Sequence, residues 1–349
     1  MRRRVAAGVG FAALLFLLVQ LGALALVPTF YESGYQTVED PSDPTNSLVY
    51  IVAILVATAA MLAAFKFDLD WVVRAFVVLA AASIAWYVFS VLLPPLAAIG
   101  ASVLLAALLV VHPEWYVIDA AGVLMGAGAA GLFGISFGLL PAILLLSVLA
   151  VYDAISVYGT EHMLDLASGV MDLKLPVVLV VPTTLSYSLR DTDAAETVAE
   201  AGGDDDADAA GGDDHVDVAG DDGDDRDVAG GGDVAADVDD DPVEDADDVR
   251  DAFFIGLGDA VMPTVMIASA AFFLPASLTP SLGIGWLPAL TFPALTAMLG
   301  TFAGLFVLLW MVLKGRAHAG LPLLNGGAIG GYLVGALASG VPILTALGL

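Results

Sequence analysis

Of the 349 residues, 59% are hydrophobic and only 14% are charged, with a mean hydropathy of +0.89 and a formal net charge of -28. A soluble domain of this size carries about a quarter charged residues, so water is excluded as the main solvent. There is no cysteine, which removes disulfides, thiolate metal sites and cysteine nucleophiles together. About two-thirds of the acids fall between Asp191 and Asp251, so the rest of the chain is close to balanced.

Apolar runs long enough to cross about 30 Å of hydrocarbon recur along the chain. They predict spans at 5–27, 48–67, 71–92, 94–111, 115–133, 139–158, 252–274, 286–313 and 322–346. The weakest boundaries are the short turns at Pro94-Pro95 and between Gly134 and Gly138. The first run follows Met1-Arg2-Arg3-Arg4 and ends near Ala23-Leu24-Ala25, a pattern that resembles a signal-peptidase site. Its apolar stretch is longer than a signal core, so a retained helix is expected.

Basic residues set the orientation. Arg2, Arg3 and Arg4 precede the first span, and Lys66 and Arg74 flank the second connection. Lys174, Arg190, Arg226 and Arg250 lie between the sixth and seventh spans, and Lys314 and Arg316 between the eighth and ninth. With nine spans and a cytoplasmic N-terminus, all of them are cytoplasmic and the C-terminus is extracytoplasmic. The exterior loops, including Pro28 to Ser47, carry none.

The stretch 191–251 is an Asp/Gly/Ala/Val tract with a loose repeat, Asp217-Val218-Ala219-Gly220 and Asp227-Val228-Ala229-Gly230. Its like-charge density and scarcity of aromatics predict a disordered cytoplasmic linker. It lacks the spacing of a calcium loop. It divides the chain into 1–190, with six helices, and 252–349, with three.

Aspartates inside apolar spans are costly, at least about 2.5–3.5 kcal/mol at a helix centre. Three fall in the expected spans: Asp119, Asp153 and Asp259. Asp153 lies about two turns above the cytoplasmic end of the sixth span. At 1.5 Å per residue, Asp259 is expected about two turns into the seventh, which runs the other way. The two carboxyls therefore share one level on consecutive antiparallel helices. In a low dielectric such a pair tends to share a proton and can do acid and base work on one water. Asp119 is expected to be peripheral, near the cytoplasmic edge, where water or Arg74 satisfies it.

The surroundings suit that chemistry. Gly256-Leu257-Gly258-Asp259 removes side chains just before the acid, letting a foreign backbone approach, although glycines also serve helix packing. Tyr152 precedes Asp153 with a ring and hydroxyl that can pack beside it. Pro322, in Gly320-Leu321-Pro322-Leu323-Leu324, is expected to leave the preceding backbone unpaired and extended, able to hold an unwound substrate.

Tyr152-Asp153, Gly256-Leu257-Gly258-Asp259 and, less cleanly, Pro322-Leu323-Leu324 resemble the motifs of the presenilin and signal peptide peptidase family of intramembrane aspartyl proteases. The resemblance implies an all-α, nine-helix polytopic fold with Asp153 and Asp259 as the catalytic dyad. It also implies transmembrane helices as substrates, no metal or organic cofactor and no nucleic acid. The acidic, cysteine-free composition is similar to that of haloarchaeal members, which implies no obligatory partner subunits. The family's third motif is Pro-Ala-Leu. Literal copies at Pro288-Ala289-Leu290 and Pro293-Ala294-Leu295 sit at the outer end of the eighth span, so depth favours Pro322-Leu323-Leu324.

Other patterns have plainer readings. Gly134-Ile135-Ser136-Phe137-Gly138 has the letters of a serine nucleophile elbow without its strand-turn-helix setting. His112, His162, His215 and His318 all fall on the opposite, cytoplasmic side, and no His-Glu-x-x-His occurs. Glu161, Asp165 and Asp172 read as a solvated extension of the sixth helix. Gly326, Gly327, Gly330, Gly331 and Gly335 have the spacing of a helix-packing stripe. The alternative function is an ion- or proton-coupled transporter or channel built on the same buried aspartates, which would show related repeats in the two halves.

Overall fold

The computed structural model describes residues 2–159, 177–182, 252–314 and 319–349. In chain order the elements are α1 (Arg2–Glu32), α2 (Thr45–Lys66), α3 (Asp70–Leu92), α4 (Pro95–Val111), α5 (Trp115–Ser136) and α6 (Leu139–Gly159). Two strands follow, β1 (Val178–Pro182) and β2 (Ala252–Gly256). The chain closes with α7 (Leu257–Phe273), α8 (Phe292–Val312), α9 (Gly320–Ala338) and the short α10 (Ile343–Ala346). A lipid-embedded backbone must satisfy its own N–H and C=O groups, and each apolar run does so as a helix.

Among the described residues, seven helices are long and apolar enough to cross a membrane: α1 from Ala6, α2, α3, α5, α6, α8 and α9. The expected fourth and seventh spans, α4 and α7, are apolar but 17 residues each. The acidic tract and the basic residues at 174, 190, 226, 250 and 316 lie outside the described residues. So do Glu161, Asp165, Asp172, His162, His215 and His318.

The core is built around α1, α5 and α7. Phe16, Val19 and Ala23 of α1 are buried against Ile118, Ala121 and Met125 of α5 and Leu257, Val261 and Val265 of α7. The first apolar run is thus packed as one wall of this core. A second core layer joins Leu145, Leu146 and Leu149 of α6 to Met266, Ala294, Ala328 and Tyr332 of α7, α8 and α9.

Three of the boundaries that differ from the sequence expectations have a local reason. The eighth helix starts at Phe292 rather than 286, because Pro288 and Pro293 favour a helix start. Residues 281–291 form a turn closed by Leu282 N–H to Leu290 O, and Thr291 caps the helix by accepting from the Ala294 N–H. The ninth stops at Ala338 because Gly340 adopts φ +81. Gly340 and Val341 then bond back to Leu337 and Ala336, a glycine-terminated helix end, and Pro342 follows. The seventh begins as a strand.

That strand matters most. Ala252 to Gly256 pairs antiparallel with Val178 to Pro182, in the register Val178↔Gly256, Val180↔Phe254 and Pro182↔Ala252. The run Val177-Val178-Leu179-Val180-Val181 is bounded by Pro176 and Pro182 and rich in β-branched side chains. That is a strand signature hidden inside what reads as a connection.

Candidate active site

Asp259 is reached through the ribbon. Leu257 N–H continues the ladder by donating to Val177 O at 2.9 Å. Gly256 then takes the N-cap position at φ -57, ψ 132, and Asp259 stands in the first turn of α7 rather than two turns into a helix. The first turn of a helix carries unpaired N–H groups and favours an acid. Pro263, one turn on, has no N–H to offer the Asp259 carbonyl. An extended strand covers about twice the distance per residue of a helix. It therefore carries the carboxyl inward where an extra helical turn was expected.

Asp153 comes from α6, six residues before its end at Gly159. Its Oδ2 accepts the Leu321 N–H at 3.0 Å, and the Gly320 N–H is a second backbone contact. Gly320 also meets the other acid. A methyl placed on Gly320 would lie 3.2 Å from Asp259 Oδ2, and one on Gly256 would lie 3.5 Å from it. Both carboxyls therefore converge on the first turn of α9, half-buried and within electrostatic range of each other.

Here an expectation is overturned. The backbone before Pro322 is not extended: Gly320 and Leu321 are already helical, and only Ala319 is extended, at ψ 121. Proline costs nothing in a first turn, where N–H groups lack helical acceptors. Leu321, left with an orphan N–H, gives it to Asp153. Pro322 and Leu323 are half-buried, and Leu324 is fully buried in the core. The literal Pro-Ala-Leu copies stand at the other end of α8 and in the loop before it.

The remaining sequence candidates separate. Leu257 is buried, touching the space beside Gly126 on α5, and anchors the start of α7. Gly258 is exposed, and a methyl there would meet nothing within 4 Å, so it leaves an open approach and packs against no helix. Tyr152 is 44% exposed, and successive helix residues do not share a face.

Sequence reasoning missed two supports. Asn325, fully buried one turn past Leu321, donates through Nδ2 to Leu146 O at 3.0 Å, tying α9 to α6 two turns from Asp153. An asparagine in an apolar glycine-rich helix was the available signal. Asp119, expected at a wet edge near Arg74, is instead 4% exposed and accepts the Val180 N–H at 2.7 Å. Arg74 reaches the Val110 carbonyl instead. The strand that meets Asp119 has a β-branched signature in the sequence, but nothing in that run says which helix it lies against. Ser136 of the elbow-like stretch is occupied with Leu132 O and Thr37, and among the described residues no cluster of His, Asp or Glu could hold a metal ion.

Two facing carboxyls beside an open glycine can activate water and protonate a leaving group without an ion. The family model described as "Signal-peptide peptidase, presenilin aspartyl protease" matches residues 13–341. A solved structure of a presenilin family intramembrane aspartate protease, in a C222 crystal form, is similar at 28% identity and a TM-score of 0.58, covering 95% of this chain and 99% of its own. A P2 crystal form of such a protease is similar at 29% identity and TM-score 0.56, with 93% and 96% covered. No curated protein matches. With the family model matching nearly the whole length and the helical fold similar to those solved structures, this chain belongs to the signal-peptide peptidase and presenilin family of intramembrane aspartyl proteases.

Proposed function

We propose that Asp153 and Asp259 are the catalytic dyad of this multi-pass membrane protease and that it hydrolyses peptide bonds of transmembrane helices. The observation that carries this is the convergence of both carboxyls on Gly320-Leu321. One carboxylate takes a proton from water as the oxygen attacks the peptide carbonyl, and the partner acid gives its proton to the carbonyl oxygen. The resulting diol collapses as a proton passes to the leaving nitrogen and the C–N bond breaks. The Leu321 N–H fixes the Asp153 carboxyl, so little reorganisation is needed at the moment of reaction.

A helix must unwind before it can be cut, since its carbonyls are otherwise engaged. The main-chain pairing expected before Pro322 falls instead to β2. In an antiparallel pair the N–H and C=O of one residue point to the same side, and alternate residues point to opposite sides. The Leu257-to-Val177 bond sets the phase: Val177, Leu179 and Val181 face β2, while Ala252, Phe254 and Gly256 turn away from β1. Among the described residues nothing pairs with that outer side of β2. An unwound substrate strand added there runs beside Gly256 toward Asp259, past the open space at Gly258. Leu257, Pro322, Leu323 and Leu324 hold the two helix starts in place around it, and Tyr152 lies on the outer surface where a substrate helix arrives.

The proposed topology has the N-terminus cytoplasmic, both 17-residue helices spanning, and the acidic stretch 191–251 as a cytoplasmic linker between 1–190 and 252–349. No partner subunit is needed. The test is cleavage of a tagged single-span substrate in liposomes by Asp153→Ala and Asp259→Ala. Each should lose at least about 10²–10⁴-fold in rate. Parental cleavage by either variant overturns the assignment of the dyad.

A further inference from the structure

The mechanism leaves one buried acid unused. Asp119 stands in the first turns of α5, inside a membrane-spanning helix, and is 4% exposed. Oδ1 accepts the Val180 N–H at 2.7 Å, and Oδ2 has no hydrogen-bond partner among the described residues. An acid so enclosed needs a reason, because burying a carboxyl with one oxygen unpaired is costly.

The ribbon supplies the reason. Val178, Val180 and Pro182 direct their backbone groups away from β2, since the alternate residues carry the ladder. That outer edge of β1 is covered by protein: Leu179, Val180 and Val181 are buried in the layer formed with α1 and α5. Pro182 has no N–H to leave unpaired. The Val180 N–H would be orphaned under α5, and Asp119 meets it. At Val180 and Pro182 the outer edge of β1 is thus closed by an acid and by a missing donor, while the outer edge of β2 is unpaired among the described residues beside Asp259. Closed edges are how proteins stop a strand from pairing on the wrong side.

We infer that Asp119 is a positioning residue, which clamps β1 to α5 so that substrate backbone pairs with β2 alone and in one register. The inference rests on the proposed dyad and on β2 as the substrate edge. Asp119 touches neither substrate nor reacting atoms. It acts through Val180, then the ladder from β1 to β2, then Gly256 and Asp259.

Three variants test it: Asp119→Asn, Asp119→Leu and Val180→Pro. The first keeps an acceptor oxygen. The second removes it. The third removes the donor from a residue whose N–H takes no part in the ladder, so pairing with β2 is retained. Cleavage rate, KM, product masses and thermal melting are read for each in liposomes, beside Asp153→Ala. Asp119→Leu and Val180→Pro should each lose about 10–100-fold in kcat/KM and yield additional products displaced by two residues, the period of a strand. The double variant should be no worse than either single, as for two halves of one contact. Asp119→Asn should stay within about threefold of the parent with its single product.

A Val180→Pro protein that melts like the parent and cuts at the parental rate and position overturns the inference, even where Asp119→Leu does not fold. So does an Asp119→Asn as damaged as Asp119→Leu. Cleavage by Asp153→Ala would instead strike at the dyad, so the two failures are distinguishable.

Discussion

The α8–α9 pair and the α2–α4 group are both strongly apolar, yet they pack in opposite ways. In α2 no residue of the most apolar window is buried, and α3 buries only a few. The α8 and α9 backbones touch. A methyl on Gly300 would strike the Gly327 carbonyl, one on Gly327 would strike the Gly300 carbonyl, and one on Gly304 would strike the Leu323 carbonyl. Hydropathy does not distinguish the groups, since lipid is as good a solvent for leucine as another helix is. Small residues that admit backbone contact do. The pair that touches carries the first turn of α9, to which Asp153 is bonded. Rigidity has been placed where the chemistry needs it.

The largest expected effect breaks that contact. Gly304→Leu or Gly327→Leu should force the helices apart, costing about 1–3 kcal/mol or more and abolishing cleavage as Leu321 leaves Asp153. Melting and proteolysis measured together check it, and an active, normally melting Gly304→Leu would refute the rigid-pair account. Next comes Gly258→Val, at a glycine with open space rather than a neighbour. Cleavage should fall by about 10-fold or more, a barrier change of about 1.4 kcal/mol, with melting little changed. That separates a glycine kept for substrate from one kept for packing.

Asn325→Leu is intermediate. Losing the bond to Leu146 should cost about 0.6–1.5 kcal/mol and lower cleavage a few-fold, read as a lower melting temperature and a slower turnover. The smallest effect is expected in the loosely packed group. Gly100→Ala on α4 meets nothing within 4 Å and should leave cleavage unchanged while gaining about 0.5–1 kcal/mol from helix propensity. A loss of activity there would mean that α4 contributes more to the site than its packing indicates.

Within the glycine stripe of α9 the same contrast recurs. Gly327, Gly331 and Gly335 meet α8, whereas Gly326 and Gly330 face open space. Spacing alone could not tell them apart, because both sets repeat every four residues. Which set faces a neighbour depends on how α9 is rotated against α8.

Asp153 and Asp259 were legible because an acid in an apolar run is expensive wherever the run lies, and the flanking Tyr-Asp and Gly-x-Gly-Asp letters are local. The expectation that they meet was reached through a helical depth argument that the structure replaces. Asp259 gains its level from a strand and a helix start, not from two helical turns. The strand-like region was likewise expected beside Pro322 and lies instead in β1 and β2, since an apolar run of five residues does not declare its partner.

The amino-acid order by itself determined what is local: which segments avoid water, which acids must be explained, where glycine and proline interrupt a helix. The tertiary structure alone decided what depends on a distant partner. It gave the Val180 N–H to Asp119, the Leu321 N–H to Asp153 and the Asn325 amide to Leu146, across 61, 168 and 179 residues of chain. A buried donor must find an acceptor, but composition and periodicity carry no record of which one the packed helices will bring within reach.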